Sequence, residues 1–395
     1  MKPFVAALLV LGFIYVHCTT DKSLPSGFEN LDRANRGDVS TARFPLSDFA
    51  VYRGTLPAGS TTTLLLGEYK NTRSYVAVMF QVSSSITSAT VESAELTLPK
   101  SFHYGEGDSF LVSAYRIEKE WDETTVLWSD LEAGYDQSNI VGSFRMNSID
   151  SIDNKLAISP ELVNDWIDNS DTNYGLLLKF DQATFMNKLL SSEYTLGGGS
   201  LSVAYETTSG DLDTVTVNVA SDASLIEYDS NVGESVIVKE TDVLRVGNAS
   251  GFNTLLKFDI ANLPANANIH RAFIYLDIDS TNSETPEELM TANTYLVGDE
   301  TDTWPDNSGD ITTVDDVLAQ GYMNYNYAAY EFNITTLVQK WALGQKNNGV
   351  VIKPAEHGKN VSELFFILRN DQSAETQPYL EISYSTSPTP RFDGQ

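Results

Sequence analysis

Catalysis in a folded chain needs a nucleophile beside a base, ligands at metal-binding spacing, or a glycine loop that cradles phosphate. This sequence offers little of that kind. Its one cysteine, Cys18, lies near the N-terminus, and neither a Gly-x-Ser-x-Gly elbow nor a His-Glu-x-x-His pair occurs. Of the four histidines, His17 precedes that cysteine, and His103, His270 and His357 have no partner at ligand spacing. They read as ordinary surface or half-buried side chains, His270 at a strand start and the other two in turn-like stretches. Gly197-Gly-Gly199 reads as a turn before a strand. Glycoside hydrolysis needs only two carboxylates, but among 54 acidic residues no pair can be chosen by counting. No catalytic residue is assigned, and the expectation is a non-enzyme.

Binding chemistry has better candidates. Calcium wants six to eight hard oxygens, and the richest stretch supplies Asp299, Asp302, Asp306 and Asp310. Their spacing is not that of an EF-hand, so calcium binding competes with a solvated acidic loop. Glu118 to Glu123 offers a similar choice. Glycans need aromatic faces for their C–H surfaces and amides for their hydroxyls. Tyr322, Tyr325 and Tyr327 alternate with Asn324 and Asn326, and on a strand Tyr325 and Tyr327 share one face. That face is either a sugar platform or core. Trp304 is the remaining ligand candidate, while Trp166 and Trp341 are expected in the core.

The chain of 395 residues is long enough for two domains, and its 42% hydrophobic content can fill their cores. A formal charge of -29 repels phosphate backbones and anionic lipid, so nucleic acid is excluded as a partner. Lys2 and the apolar run Phe4 to Val16 read as an export signal, too short to span a bilayer. Cys18 at its end resembles the acylated cysteine of bacterial lipoproteins, although His17 stands where a small residue is preferred. The expectation is a signal at 1–18, a lipid anchor at Cys18 as the only membrane contact, and placement at the outer membrane or cell surface. Without the anchor the chain would be secreted. No disulfide can form within the chain, so packing must hold it together.

The elements that must position any site are short β-type runs broken by turn residues, pointing to an all-β chain of two tandem jelly-roll-like β-sandwiches. Expected boundaries are a tether at 19–44, sandwiches at 45–206 and 207–386, and a tail at 387–395. The halves look like one unit repeated. Val91 to Leu98 matches Ile269 to Leu276, and Val76 to Phe80 matches Thr254 to Phe258. Leu162 to Trp166 followed by Asn173-Tyr-Gly matches Leu337 to Trp341 followed by Asn347-Asn-Gly. Leu201 to Tyr205 and Leu380 to Tyr384 close the two copies, and Gly210 to Glu234 is expected to hold the linker and the first strand of the second half. One short helix per half is expected, the first opened by Ser159 and Pro160 as cap and first helical residue.

Leu256-Lys-Phe-Asp259, Leu263-Pro264, the Ile269-x-x-Ala-x-x-x-Leu276 strand, a helix ending at Trp341, Asn347-x-Gly349 and Pro378-x-Leu380 follow in an order that resembles the DNRLRE-type domain. Phe365-Phe-Ile-Leu-Arg-Asn-Asp371 lies where that family's namesake segment would fall. The first half departs there, with Leu189-Leu-Ser-Ser-Glu193, yet its Trp121-Asp-Glu-Thr-Thr-Val-Leu-Trp128 is similar to the family's tryptophan run. The resemblance implies β-sandwich modules of secreted and surface proteins, related to carbohydrate-binding modules. Two functions follow as expectations. One is capture of extracellular polysaccharide by tandem modules, and the other is a structural or adhesive role through surface proteins.

Overall fold

The computed structural model describes residues 39–82, 86, 89–148, 154–195, 197–228, 236–238, 243–287, 290–297, 313–324, 329–368 and 378–386, with side chains of 236–238, 313–317 and 323–324 excepted. The export segment, Cys18, most of the expected tether, the acidic stretch with Asp299, Asp302, Asp306 and Asp310, and Trp304, Tyr325, Asn326 and Tyr327 lie outside the described residues. So does the side chain of Asn324.

The fold is all-β, with antiparallel strands throughout and three short helices among the described residues. Period-two patterning explains the half-buried strands. In Thr90–Leu98 the residues Val91, Ala94, Leu96 and Leu98 point inward, and in Asn268–Asp277 the same is true of Ile269, Ala272, Ile274 and Leu276. The strands Thr72–Phe80 and Phe252–Phe258 are buried on both faces instead, which is why they read as nearly continuous apolar runs. Two hydrophobic cores result. One is built from residues between Leu64 and Leu225, the other from Phe44 together with residues between Leu244 and Ile382.

Phe44 in the second core is the unexpected feature. The strand Val39–Arg53 precedes the whole first half, yet it pairs with Tyr379–Ser385 over Val39 to Pro45 and with Phe252–Phe258 over Leu46 to Arg53. The strand Leu212–Tyr228, expected to open the second half, pairs with Ser200–Glu206 and with Thr72–Phe80 of the first. The two long strands are equivalents. Leu46 faces Phe258 and is followed by a bulge at Ser47, and Val219 faces Phe80 and is followed by a bulge at Ala220. On the other side, Phe44 faces Leu380 as Val217 faces Leu201. At its bulge each strand leaves one sheet for the other, which lets a single strand serve both layers of a sandwich. Each half therefore holds the strand that precedes the other half in sequence.

This changes where the halves begin. Residues 39–44, expected in the tether, are strand, and the ladder of the first half extends past 206 to Tyr228. The chain crosses between halves twice, through 54–62 and after Tyr228. The first crossing packs closely. A Cβ on Gly59 would lie 2.1 Å from the carbonyl oxygen of Glu123, so only glycine fits that approach.

Polar contacts join the halves as well. Glu284 accepts from the Tyr69 hydroxyl and the Lys70 ammonium, and Glu287 accepts from the Tyr104 hydroxyl. Lys188 reaches Glu287 at 2.7 Å. Between these contacts and the crossing lies an apolar cluster of Ala58, Leu65, Tyr104, Met186, Ile226 and Ala249.

The expected helices are present at Pro160–Asp168 and Thr335–Ala342, burying Trp166 and Trp341 respectively. Pro160 opens the first helix, but the Ser159 hydroxyl turns to Glu161 rather than capping a backbone amide. After each helix an asparagine pins the next turn. Asn173 donates to the Phe80 carbonyl at 2.7 Å and accepts from Gly175, and Asn347 donates to Phe258 at 2.8 Å and accepts from Gly349. The glycines take φ values of 85° and 81°, where other residues are strained.

Candidate functional site

Three elements of the first half bring carboxylates together. Glu123 sits in the loop after the strand Ser109–Ile117, Glu193 follows the strand Phe185–Leu190, and Asp222 lies within the second long strand just past its bulge. One oxygen from each lies within 4.8 Å of the others. The bulge decides this placement, because the register slip at Ala220 puts Asp222 opposite Val78 with its side chain fully buried. Glu123 is half-buried and Glu193 exposed, so the group runs from interior to surface.

The hydrogen bonds around it are few. Glu123 Oε1 accepts the Asp222 amide at 2.8 Å, and Asp222 Oδ2 accepts the Ser192 amide at 2.8 Å. The Ser192 hydroxyl donates to Glu193 at 3.1 Å, and the Ser191 hydroxyl ties this loop to the Thr61 carbonyl of the first crossing at 2.5 Å. Burial pushes the Asp222 carboxyl up to about 8, and the charges of Glu193 and Glu123 add to that shift. Glu123 is also raised, first by burial and then by Glu193 and Asp122, against the lowering effect of the Asp222 amide. Asp122 goes the other way, held down by the hydroxyl and amide of Thr124. The carboxyl with the most perturbed proton affinity is thus the one a substrate cannot reach.

Sequence reading missed Glu193 and Asp222. The one available signal was an aspartate inside Val219-Ala-Ser-Asp-Ala-Ser-Leu-Ile226, directly before the buried run Ala223 to Ile226. Glu123 belonged to the stretch considered as a counterpart of the acidic loop. At the place of Asp222, the first long strand carries Phe49, opposite Leu256, so the second half lacks that carboxylate.

Of the expected glycan platform, the structure describes the strand Tyr322–Asn324 and the Tyr322 side chain, which is 68% exposed at the end of a sheet. A cavity of about 200 Å³ in the second half is lined by Asn248, Gln320, Glu356, Lys359 and Asn360, among others. The tryptophans of the first half serve packing. Trp166 is buried, Trp121 donates to the Tyr174 carbonyl at 2.8 Å, and Trp128 lies 4.4 Å from the Tyr75 ring with the Lys179 ammonium 5.7 Å away.

The histidines are scattered. His103 is part of the strand Lys100–Gly105 rather than a turn, stacked on Phe102. His270 occupies a bulge and meets the Ser385 hydroxyl at 2.9 Å. His357 lies in a turn, as expected, and burial and the charge of Lys353 hold it down to about 4. No two of them share a site.

No family model and no curated protein matches the chain. Among solved structures, it aligns with "Structure of the Macrobrachium rosenbergii Nodavirus" at 11% identity and a TM-score of 0.14, covering 97% of this chain and 96% of that one. A second alignment is to "Crystal structure of infectious bursal disease virus VP2 subviral particle", at 13% identity and a TM-score of 0.12, covering 91% and 79%. Scores this low carry no structural relationship.

Proposed function

We propose that the chain is a non-catalytic, exported surface protein, lipid-anchored at Cys18, whose role is structural or adhesive. The observation that carries this reading is the exchange of the two long strands. The first long strand begins at Val39, the first described residue after Cys18, and is hydrogen-bonded along its length, to Tyr379–Ser385 before its bulge and to Phe252–Phe258 after it. A load entering from the anchor therefore passes into the distant half before it reaches the near one. Main-chain ladders that run the whole length of a strand give it a strong hold. Pulled along its axis, the strand must lose many of these bonds at once.

Direction of force tests this. Val39 pairs with Ser385, so pulling residues 39 and 385 apart opens the ladder one bond at a time. Pulling residue 39 against a handle at residue 379, which faces Pro45 at the far end of that ladder, shears the strand instead. In single-molecule extension, the second geometry should resist with clearly higher force. Equal low forces in both would defeat the load-bearing role.

A second reading, capture of extracellular polysaccharide, is favoured by the exposed Tyr322 and by the cavity lined with the amides of Asn248, Gln320 and Asn360. Aromatic faces and amides are the groups a sugar ring needs. The resemblance to DNRLRE-type modules points the same way. A glycan array decides it: binding that is lost in Tyr322→Ala or Gln320→Ala supports capture, and silence from folded protein removes it.

A further inference from the structure

We infer that Glu123, Glu193 and Asp222 form a calcium site that fastens the exchanged strand Leu212–Tyr228 to the first half. Clustered carboxylates alone would not justify this, since exposed acidic groups gather on many acidic surfaces. The second observation is Asp222 Oδ1. It is completely buried and has no hydrogen-bond donor. The other oxygen of the same carboxylate is satisfied by Ser192. Both oxygens share one carbon, so the unpartnered atom belongs to the cluster whichever of the two is measured against Glu123 and Glu193. A buried acceptor left without a donor or cation is destabilising, the more so when it is charged.

Geometry selects the ion. Oxygens bound to one calcium lie about 2.3–2.6 Å from it, so two of them can be nearly 5 Å apart. Three oxygens that all lie within 4.8 Å of one another fit inside that envelope. Magnesium, at about 2.0–2.1 Å with strict octahedral demands, suits a site of mixed buried and exposed carboxylates less well than calcium, whose coordination is flexible. Hard oxygen donors without nitrogen or sulfur also disfavour zinc and copper. Water supplies the remaining ligands, reached from the Glu193 side, which is exposed.

The position gives the ion a structural consequence. Asp222 lies on the exchanged strand, and Glu123 and Glu193 come from two loops of the half that receives it. The Ser191 hydroxyl extends the group to Thr61 in the first crossing. Bound calcium would join strand, loops and crossing at one point. Because Phe49 replaces the aspartate in the equivalent strand, one ion per chain is expected at this kind of site.

Titration of the full chain with calcium chloride, followed by calorimetry and thermal melting, tests the inference. One ion should bind with a dissociation constant of about 0.1–1 mM, the range of extracellular modules, and raise the melting temperature. Magnesium should bind at least about tenfold more weakly. Asp222→Asn, nearly the same shape, should abolish both effects. The exposed Glu193→Gln, which does not threaten folding, should weaken binding about tenfold. Asp299→Asn with Asp302→Asn should leave the affinity unchanged. Absence of heat and of a melting shift at ten times the upper end of that range overturns the site. So does wild-type affinity in Glu193→Gln, which would place the ion elsewhere.

Discussion

Phe44 lies opposite Leu380, joining the strand that begins the described chain to the strand that ends it. Both side chains are buried in one core, although the entire first half separates them in sequence. That pairing and its counterpart, Val217 opposite Leu201, seat each long strand in the half that does not follow it in sequence.

Phe44→Ala should therefore destabilise the second half and leave the first nearly untouched. Removing a buried phenylalanine costs about 3–5 kcal/mol. Amide exchange would show lost protection in 244–382 under native conditions. Loss confined to 64–225 would mean that the first strand belongs to the half that follows it.

Among the described residues, the contact between Lys188 and Glu287 is the cross-half ion pair with the more sheltered lysine, whose side chain is 9% exposed. Glu287 also takes the Tyr104 hydroxyl. A double-mutant cycle with Lys188→Met and Glu287→Gln should return a coupling of about 0.5–3 kcal/mol in urea unfolding. Lys155 with Glu95, exposed at 60% and 49%, should return about 0–1 kcal/mol.

Asn347→Ala removes the donor to Phe258 and the acceptor for Gly349 together. A loss of about 1–3 kcal/mol is expected, because the Phe258 carbonyl is left without its partner. Asn173→Ala should cost a similar amount through Phe80 and Gly175. Melting of the two variants checks this, and markedly unequal losses would show that the repeated turn is not equivalent in the two halves.

His357 gives the fold an acid sensitivity. Its folded value is held down to about 4 by burial and by Lys353, against about 6.5 when unfolded. The unfolded state then binds more protons at His357 between those values, so the contribution of His357 is full above pH 6.5 and is lost as pH drops toward 4, while the raised Asp222 carboxyl contributes in the opposite direction. His357→Gln should flatten that part of a stability-against-pH curve. A slope unchanged by the substitution would assign it to carboxylates instead.

The sequence by itself determined the local layer of this protein. Alternation in Thr90–Leu98 and Asn268–Asp277, the helices ending near Trp166 and Trp341, and the Asn-x-Gly turns were legible because short-range periodicity and backbone sterics dictate them. The match between Val76 to Phe80 and Thr254 to Phe258 was legible for the same reason, since both strands must be apolar on two faces. Tertiary structure alone decided which half each long strand completes. Val39–Arg53 and Leu212–Tyr228 carry the same bulge and pair with equivalent neighbours, so either strand suits either groove by local criteria. The choice rests on how 54–62 and the segment after Tyr228 route the chain, and no side-chain pattern records that. The carboxylate group shares this origin. Asp222 faces inward because of a slip at Ala220, and Glu123 and Glu193 meet it only after two loops and an exchanged strand have closed around one point.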